Sequence, residues 1–226
     1  MHKEHNMYVP TMLFAELKAG SNFDDSEARD WVGTNGVGAS LVNIFSTEFR
    51  VETCDGKLQF RQDFFKNNHE RKEPKIKEAD KNHTKITFTP DYERLGCTLD
   101  DDNYAKIVRR IVDVAACNPG IKVYLNGERI QVKSFKEYVE LYASEFEYEE
   151  LASGWKIGVA HSDDGFQHVS FVNGSETADG GSHVDFLGLQ LSEKLREFFK
   201  KKHKVDVKPS EIRQHITLFI DAKVIN

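Results

Sequence analysis

The sequence predicts an α+β fold divided into two domains near residue 133. Two hairpin signals point to antiparallel or mixed sheets: Asp55-Gly56 and Asn126-Gly127 each stand between short strand-like runs. An amphipathic helix is equally clear in Tyr104 to Cys117, where Ile107, Val108, Ile111, Val112 and Ala115 recur at three-four spacing. Between Val32 and Phe45 three glycines (Gly33, Gly36, Gly38) at G-x-x-G-x-G spacing run straight into apolar residues at helical period, with Leu41, Ile44 and Phe45 on one face.

The 226 residues are enough to bury a sizeable core. At 39% hydrophobic and 30% charged, the composition is that of a soluble globular protein. A net charge of −6 argues against non-specific nucleic-acid binding by the whole chain, though not by a local patch. Cys54, Cys97 and Cys117 are far apart and include no C-x-x-C pair, which favours a reducing compartment over a disulfide framework or a zinc site. No stretch has the apolar length to span a bilayer, and residues 1–10 lack a signal-peptide core, so a cytoplasmic protein is expected.

In chain order, Thr11 to Lys18 reads as a short helix closed by Gly20 as C-cap, and the charged run Asp24, Asp25, Glu27, Arg29, Asp30 as a solvated loop ahead of the glycines. A helix is expected from about Gly36 to Ser46. Strands follow over Phe49 to Cys54 and Lys57 to Phe64. Residues 66–83 read as a solvated loop, because so polar a composition cannot support a core. Thr84 to Pro90 alternates, with Ile86 and Phe88 expected on the buried face. After the 104–117 helix come a hairpin from Ile121 to Val132, a helix from Ser134 to Glu145 and an acidic loop to Glu150. Strands Trp155 to His161 and Phe166 to Val172 flank an Asp163-Asp164-Gly165 turn. Ser182 is placed to cap a helix from His183 to Lys202. A short helix at Pro209 to Ile212 and a closing strand from His215 to Val224 complete the chain.

Glycine allows backbone to approach a ligand closely, and the free N–H groups of a helix start attract anions. On spacing alone the Gly33–Gly38 stretch fits either a phosphate cradle or an ordinary glycine-rich turn. No apolar strand leads into it, which disfavours a dinucleotide-binding βαβ unit. Lys194, Arg196, Lys200, Lys201, Lys202, His203 and Lys204 gather around Phe198 and Phe199, as a solvated helix end or a duplex-contacting wall. His161, His168, His183 and His215 have no metal-ligand spacing. Trp31 can stack on a nucleotide or pack beneath the loop. Tyr138 and Tyr142, at i and i+4, read as core.

Four blocks give the chain a resemblance to the ATPase region of type IIA DNA topoisomerases, nearest to the large subunit of the T-even-type phage enzyme and then to gyrase B. They are Lys18 to Asp25, like the start of the family's ATP lid; Gly33 to Ser46, like its phosphate loop and following helix; Thr84 to Asp91, like the strand bearing its nucleotide-site threonine; and Ser170 to Val184, like a transducer signature. The resemblance implies the later part of a Bergerat (GHKL-type) ATPase sandwich over 1–133 and a ribosomal-S5-like transducer over 134–226. It implies that Gly33, Thr34, Asn35, Gly36, Val37, Gly38 and Ala39 bind the ATP phosphates, with Thr84 near the adenine and Lys200, Lys201, Lys202 and Lys204 toward DNA. It also implies Mg²⁺ as cofactor, and as partners duplex DNA, the rest of the ATPase subunit and other topoisomerase subunits, in a cytoplasm that is the host's for a phage gene. The family's glutamate and Asp-Asn pair, which activate water and hold Mg²⁺, have no match in this sequence, nor does its Gln-Thr-Lys loop. A partial chain, not catalytically competent alone, is therefore expected. The competing expectation is a docking module that binds no nucleotide.

Overall fold

The computed structural model describes residues 1–2, 5–20, 22–23 and 32–225. The charged run 24–30, Trp31, Glu4 and Ser21 lie outside the described residues. Two compact units part between Asn103 and Tyr104, whereas the sequence placed the break near 133. The reason is packing: Val112, Ala116, Cys117 and Val132 lie in the same hydrophobic cluster as Phe135 and Tyr138.

The first unit opens with helix α1 (Val9–Ala15), started by Pro10. Its C-cap is Glu16 rather than Gly20. Helix α2 (Gly38–Ile44) feeds strand β1 (Ser46–Cys54), which pairs with β2 (Leu58–Phe65) across the expected turn. Gly56 there has a φ of +87°, and the Asp55 carboxylate accepts from Lys57 N at 2.9 Å and Leu58 N at 2.8 Å, bonds that hold it below the usual carboxylate range. Phe49, Val51, Phe60, Phe64 and Ala15 form the core, with Tyr8 and Phe14 against it. One polar bridge crosses that core: Thr11 Oγ1 donates to Gln62 Oε1 at 2.7 Å, and Gln62 Nε2 donates to Lys72 O at 2.9 Å.

Two expectations fail in this unit. Residues 66–83 are not a plain loop, since β3 (Glu70–Arg71) and β4 (Lys75–Glu78) both pair with β2. Wholly exposed lysine-rich strands need only a free edge to bond to, not a core of their own. Strand β5 (His83–Pro90) pairs with β1 as expected, but Ile86 and Phe88 are 37% and 48% exposed. Their register partners Val51 and Phe49 are buried, while no described residue covers the sheet's β5 margin. Helix α3 (Tyr92–Leu95) follows, capped by the Asp91 carboxylate.

The second unit begins within helix α4 (Asp101–Cys117). Its buried face is turned relative to the expected stripe, with Ile107 exposed and Asp113, Ala115 and Ala116 buried. Strands β6 (Tyr124–Leu125) and β7 (Glu128–Arg129) form the Asn126-Gly127 hairpin. Helix α5 covers only Phe135–Val139, capped by Ser134 Oγ, which accepts from Glu137 N at 3.2 Å. The expected acidic loop is instead strand β8 (Phe146–Glu150), whose alternate residues Phe146 and Tyr148 turn toward the core. Strands β9 (Lys156–His161), β10 (Gln167–Val172) and β11 (Ser175–Glu176), helices α6 (Ser182–His203) and α7 (Pro209–Arg213), and strand β12 (Ile216–Ala222) complete the unit. Ser182 is the first helical residue of α6, with Gly181 as its N-cap.

The sheet order is β11-β10-β12-β9-β8. The last strand therefore enters between β9 and β10, which a turn at 163–165 had suggested as neighbours. It runs parallel to β10, and α6 provides the crossover that a parallel pair requires. On one face of β12 Phe219 meets Phe135, Tyr138 and Phe171; on the other Leu218 and Ile220 meet Val184, Ile212 and the leucines of α6. Burial on both faces explains its near-continuous apolar run. No helix among the described residues is long and apolar enough to cross a membrane.

Candidate nucleotide-phosphate site

The glycine loop is built on two anchored helices. Asn43, buried in α2, donates through Nδ2 to Phe14 O at 2.9 Å and to Asn68 Oδ1 at 3.1 Å, and Asn68 Nδ2 donates to Ala15 O at 2.8 Å. These bonds tie the end of α1 to α2. At the start of α2, buried Ser40 donates through Oγ to Val37 O at 3.1 Å, and Leu41 N donates to the same carbonyl at 2.9 Å.

The loop itself is held from behind and open in front. Gly36 has a φ of +58°, and a Cβ placed on it would lie 2.5 Å from Gly20 N. A Cβ on Gly33 or Gly38 would meet nothing within 4 Å. Gly33, Asn35, Gly38 and Ala39 are exposed, whereas Thr34, Gly36 and Val37 are half-buried. The first-turn N–H groups of α2 have no acceptor within the helix. With only seven residues α2 has a weak dipole, so the open glycine backbone makes the anion site.

Thr84 sits apart from this loop. Its hydroxyl lies 3.0 Å from that of Thr53, its partner on β1, and no hydrogen bond among the described residues joins it to residues 33–39. Thr53 is seven residues from Ser46, where α2 delivers the chain to β1, or about 23 Å of strand. The neighbouring His83 is engaged by Lys81 O at 2.8 Å and by Glu52 Oε1 at 3.2 Å, a bond that holds the Glu52 carboxyl below its usual range.

The basic cluster has an acidic partner in the second unit. Arg196 grips Asp206 with Nε at 2.6 Å and a second guanidinium nitrogen at 3.2 Å, and Lys200 Nζ lies 3.2 Å from it. These cations push the Asp206 carboxyl down to about 2. Lys202 Nζ stands 5.0 Å over the Phe198 ring, Lys204 takes a left-handed C-cap conformation, and Lys201 is exposed. Phe199 packs into the core while Phe198 is 48% exposed.

The Ser170 to Val184 block folds as a hairpin leading into α6. A polar chain runs through it from His168 Nδ1 to Ser170 Oγ at 3.2 Å, on to Thr177 Oγ1 at 2.6 Å, and then to His183 Nε2 at 3.1 Å. Burial, with His168 nearby, holds His183 below the usual imidazole range.

Residues 120–226 match the family model of DNA gyrase B. DNA topoisomerase 2 of Bombyx mori is 42% identical over 243 aligned positions, covering 100% of this chain and 16% of that protein. DNA topoisomerase 2 top-2 of Caenorhabditis elegans is 40% identical over 241, again across 100% of this chain and 16% of the relative. The crystal structure of the ATPase region of Saccharomyces cerevisiae topoisomerase II superposes with a TM-score of 0.91 at 38% identity, covering 99% of this chain and 61% of that chain. The homologues of this chain are the ATPase regions of type II DNA topoisomerases. The ATPase and transducer domains of DNA topoisomerase II from Balamuthia mandrillaris agree, with a TM-score of 0.92, 42% identity, and coverage of 99% and 60%. The chain spans about a sixth of the curated relatives and three fifths of the solved ATPase-region chains.

Sequence reasoning missed two neighbours of the site in this ATPase–transducer region. Gly20, read as a helix cap, packs on Gly36, and Asn22 donates to Gly33 O at 3.0 Å. It also missed Asp206 in the basic cluster, because the i+10 spacing from Arg196 gives no local signal. For Mg²⁺ the described residues hold no cluster of three or more His, Cys, Asp or Glu side chains, so no ligand set is assigned.

Proposed function

We propose that this chain is the phosphate-holding and transducing part of an ATP-driven type II DNA topoisomerase, coupling nucleotide-dependent clamp closure to duplex passage. One observation carries the reading: a glycine loop braced from behind at Gly36 and open at Gly33 and Gly38, in a chain homologous to topoisomerase II ATPase regions. The N–H groups of Gly33 to Ala39 hold the β- and γ-phosphates, with Asn35 adding a side-chain contact and Thr84 serving the adenine end through water. Residues 1–133 are read as part of the ATPase domain and 134–226 as transducer. The four motif blocks support a T-even-like parent as the finer reading.

ATP bound here supplies the triphosphate, and this chain binds and orients it. Water activation and metal ligation need a positioned base and carboxylate or amide oxygens that no motif in this sequence matches. These groups come from the rest of the ATPase subunit, and the lysines at the end of α6 face the captured duplex.

Titration of a non-hydrolysable ATP analogue with Mg²⁺ tests this, with and without a supplied N-terminal ATPase fragment bearing the Glu and Asp-Asn box. Binding that appears with the fragment and disappears in Gly36→Val supports the reading. A well-folded chain that binds in neither case overturns it.

A further inference from the structure

Gly36 has no room on the side where a side chain would stand. A Cβ there would sit 2.5 Å from Gly20 N, 2.9 Å from Gly20 Cα and 3.0 Å from Ala19 C. The contact is reciprocal, because a Cβ on Gly20 would lie 3.0 Å from Gly36 Cα and 3.4 Å from Gly36 N. Gly20 is not in the left-handed region, so close approach rather than backbone conformation calls for glycine at this position. Two residues on, Asn22 Nδ2 donates to Gly33 O at 3.0 Å. The segment after α1 therefore grips the loop twice, backbone against backbone at Gly36 and through an amide at Gly33.

We propose that Gly20 and Asn22 are positioning residues for the phosphate cradle, setting the path of the Gly33–Gly38 backbone and hence the aim of its N–H groups. The inference rests on the nucleotide reading above. Gly36 has no side chain to withdraw, so a methyl on Gly20 must move the loop backbone itself. Hydrogen bonds weaken steeply with misalignment, so a shift of a few tenths of an ångström falls on the phosphate contacts. It does not fall on a ligand that lacks phosphates. The variant should lose the triphosphate selectively and keep the adenosine end.

The test uses the full chain with the N-terminal fragment present and measures the Kd of a Mg²⁺-bound ATP analogue and of adenosine. The variants are Gly20→Ala, Asn22→Asp and, as a direct intrusion into the open side, Gly38→Val. Amide resonances of Gly33 and Gly38 are followed in the ¹⁵N-labelled protein without ligand. Gly20→Ala is expected to weaken the analogue about tenfold, and Asn22→Asp about fivefold, as removal of one hydrogen bond would. Adenosine affinity stays unchanged, and the Gly33 and Gly38 amides shift before any ligand is added. Analogue binding that survives Gly20→Ala and Asn22→Asp but not Gly38→Val overturns the positioning role and leaves the nucleotide reading standing. Equal loss of analogue and adenosine in Gly20→Ala also overturns it, since that is general loosening. A wild-type chain that binds no analogue, or binds as well with Gly38→Val, overturns the nucleotide reading and this inference with it.

Discussion

Tyr138 on α5 donates its hydroxyl hydrogen to Asp113 on α4 at 2.7 Å, and both residues are 1% exposed. The Tyr142 hydroxyl lies 2.9 Å from that of Tyr138, and Arg109, one turn before Asp113, pairs with Glu176 on β11. Arg110 adds a bond to Gly174 O at 3.0 Å. A buried carboxyl on an otherwise apolar helix face is thus matched by a phenol from the next helix. The same helix is bolted to the hairpin that carries the Ser170 to Val184 block.

Tyr138→Phe keeps the ring but leaves Asp113 buried without its donor. Stability should fall by about 2 kcal/mol, the usual cost of a buried polar group left unsatisfied. Urea denaturation measures it. Combining Tyr138→Phe with Asp113→Leu should cost less than the two single changes together, because they share one interaction.

Burial pushes the Asp113 carboxyl above its ordinary value of 3.8, against the Tyr138 hydrogen bond and the Arg109 charge, which act to lower it. A raised carboxyl favours the protonated form in the fold. Its contribution is therefore fully present below about 3.8 and disappears as pH rises through the folded value. Relative to Asp113→Asn, wild type should lose stability steadily between about pH 4 and 7, as read by denaturation midpoints. A constant difference across that range refutes the assignment.

Lys156 Nζ and Asp221 Oδ2 lie 2.6 Å apart on neighbouring strands, with side chains only 14% and 6% exposed. Lys156→Met leaves the carboxylate buried alone and should cost about 3–5 kcal/mol. Adding Asp221→Leu should restore most of it, since two apolar groups can replace a buried pair at little cost. Thermal melts of the single and double variants decide this.

If the end of α6 meets duplex DNA, its cations should show as salt dependence. Reversing Lys201, Lys202 and Lys204 to Glu should lower the slope of log affinity against log salt by about 0.9 for each phosphate that is no longer neutralised. Lys200, held by Asp206, should matter less than Lys201. An unchanged slope in DNA titrations from low to moderate salt would remove the duplex from this face.

The elements legible in the sequence are those encoded by neighbours along the chain. Asp55-Gly56 and Asn126-Gly127 specify their turns through two residues each, and Pro209 marks a helix start. The missed elements depended on partners. Strand β8 reads as an acidic loop until β9 pairs with it, and β3 and β4 read as solvated chain until β2 offers an edge. Ile86 and Phe88 alternate like a buried face but lie where no described residue covers them.

By itself the sequence determined the α+β class, the two hairpins, the glycine loop and the family likeness, because backbone preference and motif spacing are local properties. Tertiary structure alone decided the rest. It placed β12 between β9 and β10, matched Asp113 with Tyr138 and Lys156 with Asp221, and pressed Gly20 against Gly36. Each of these joins residues far apart along the chain. No local pattern records such pairings, because burial and partner are set only when the layers close.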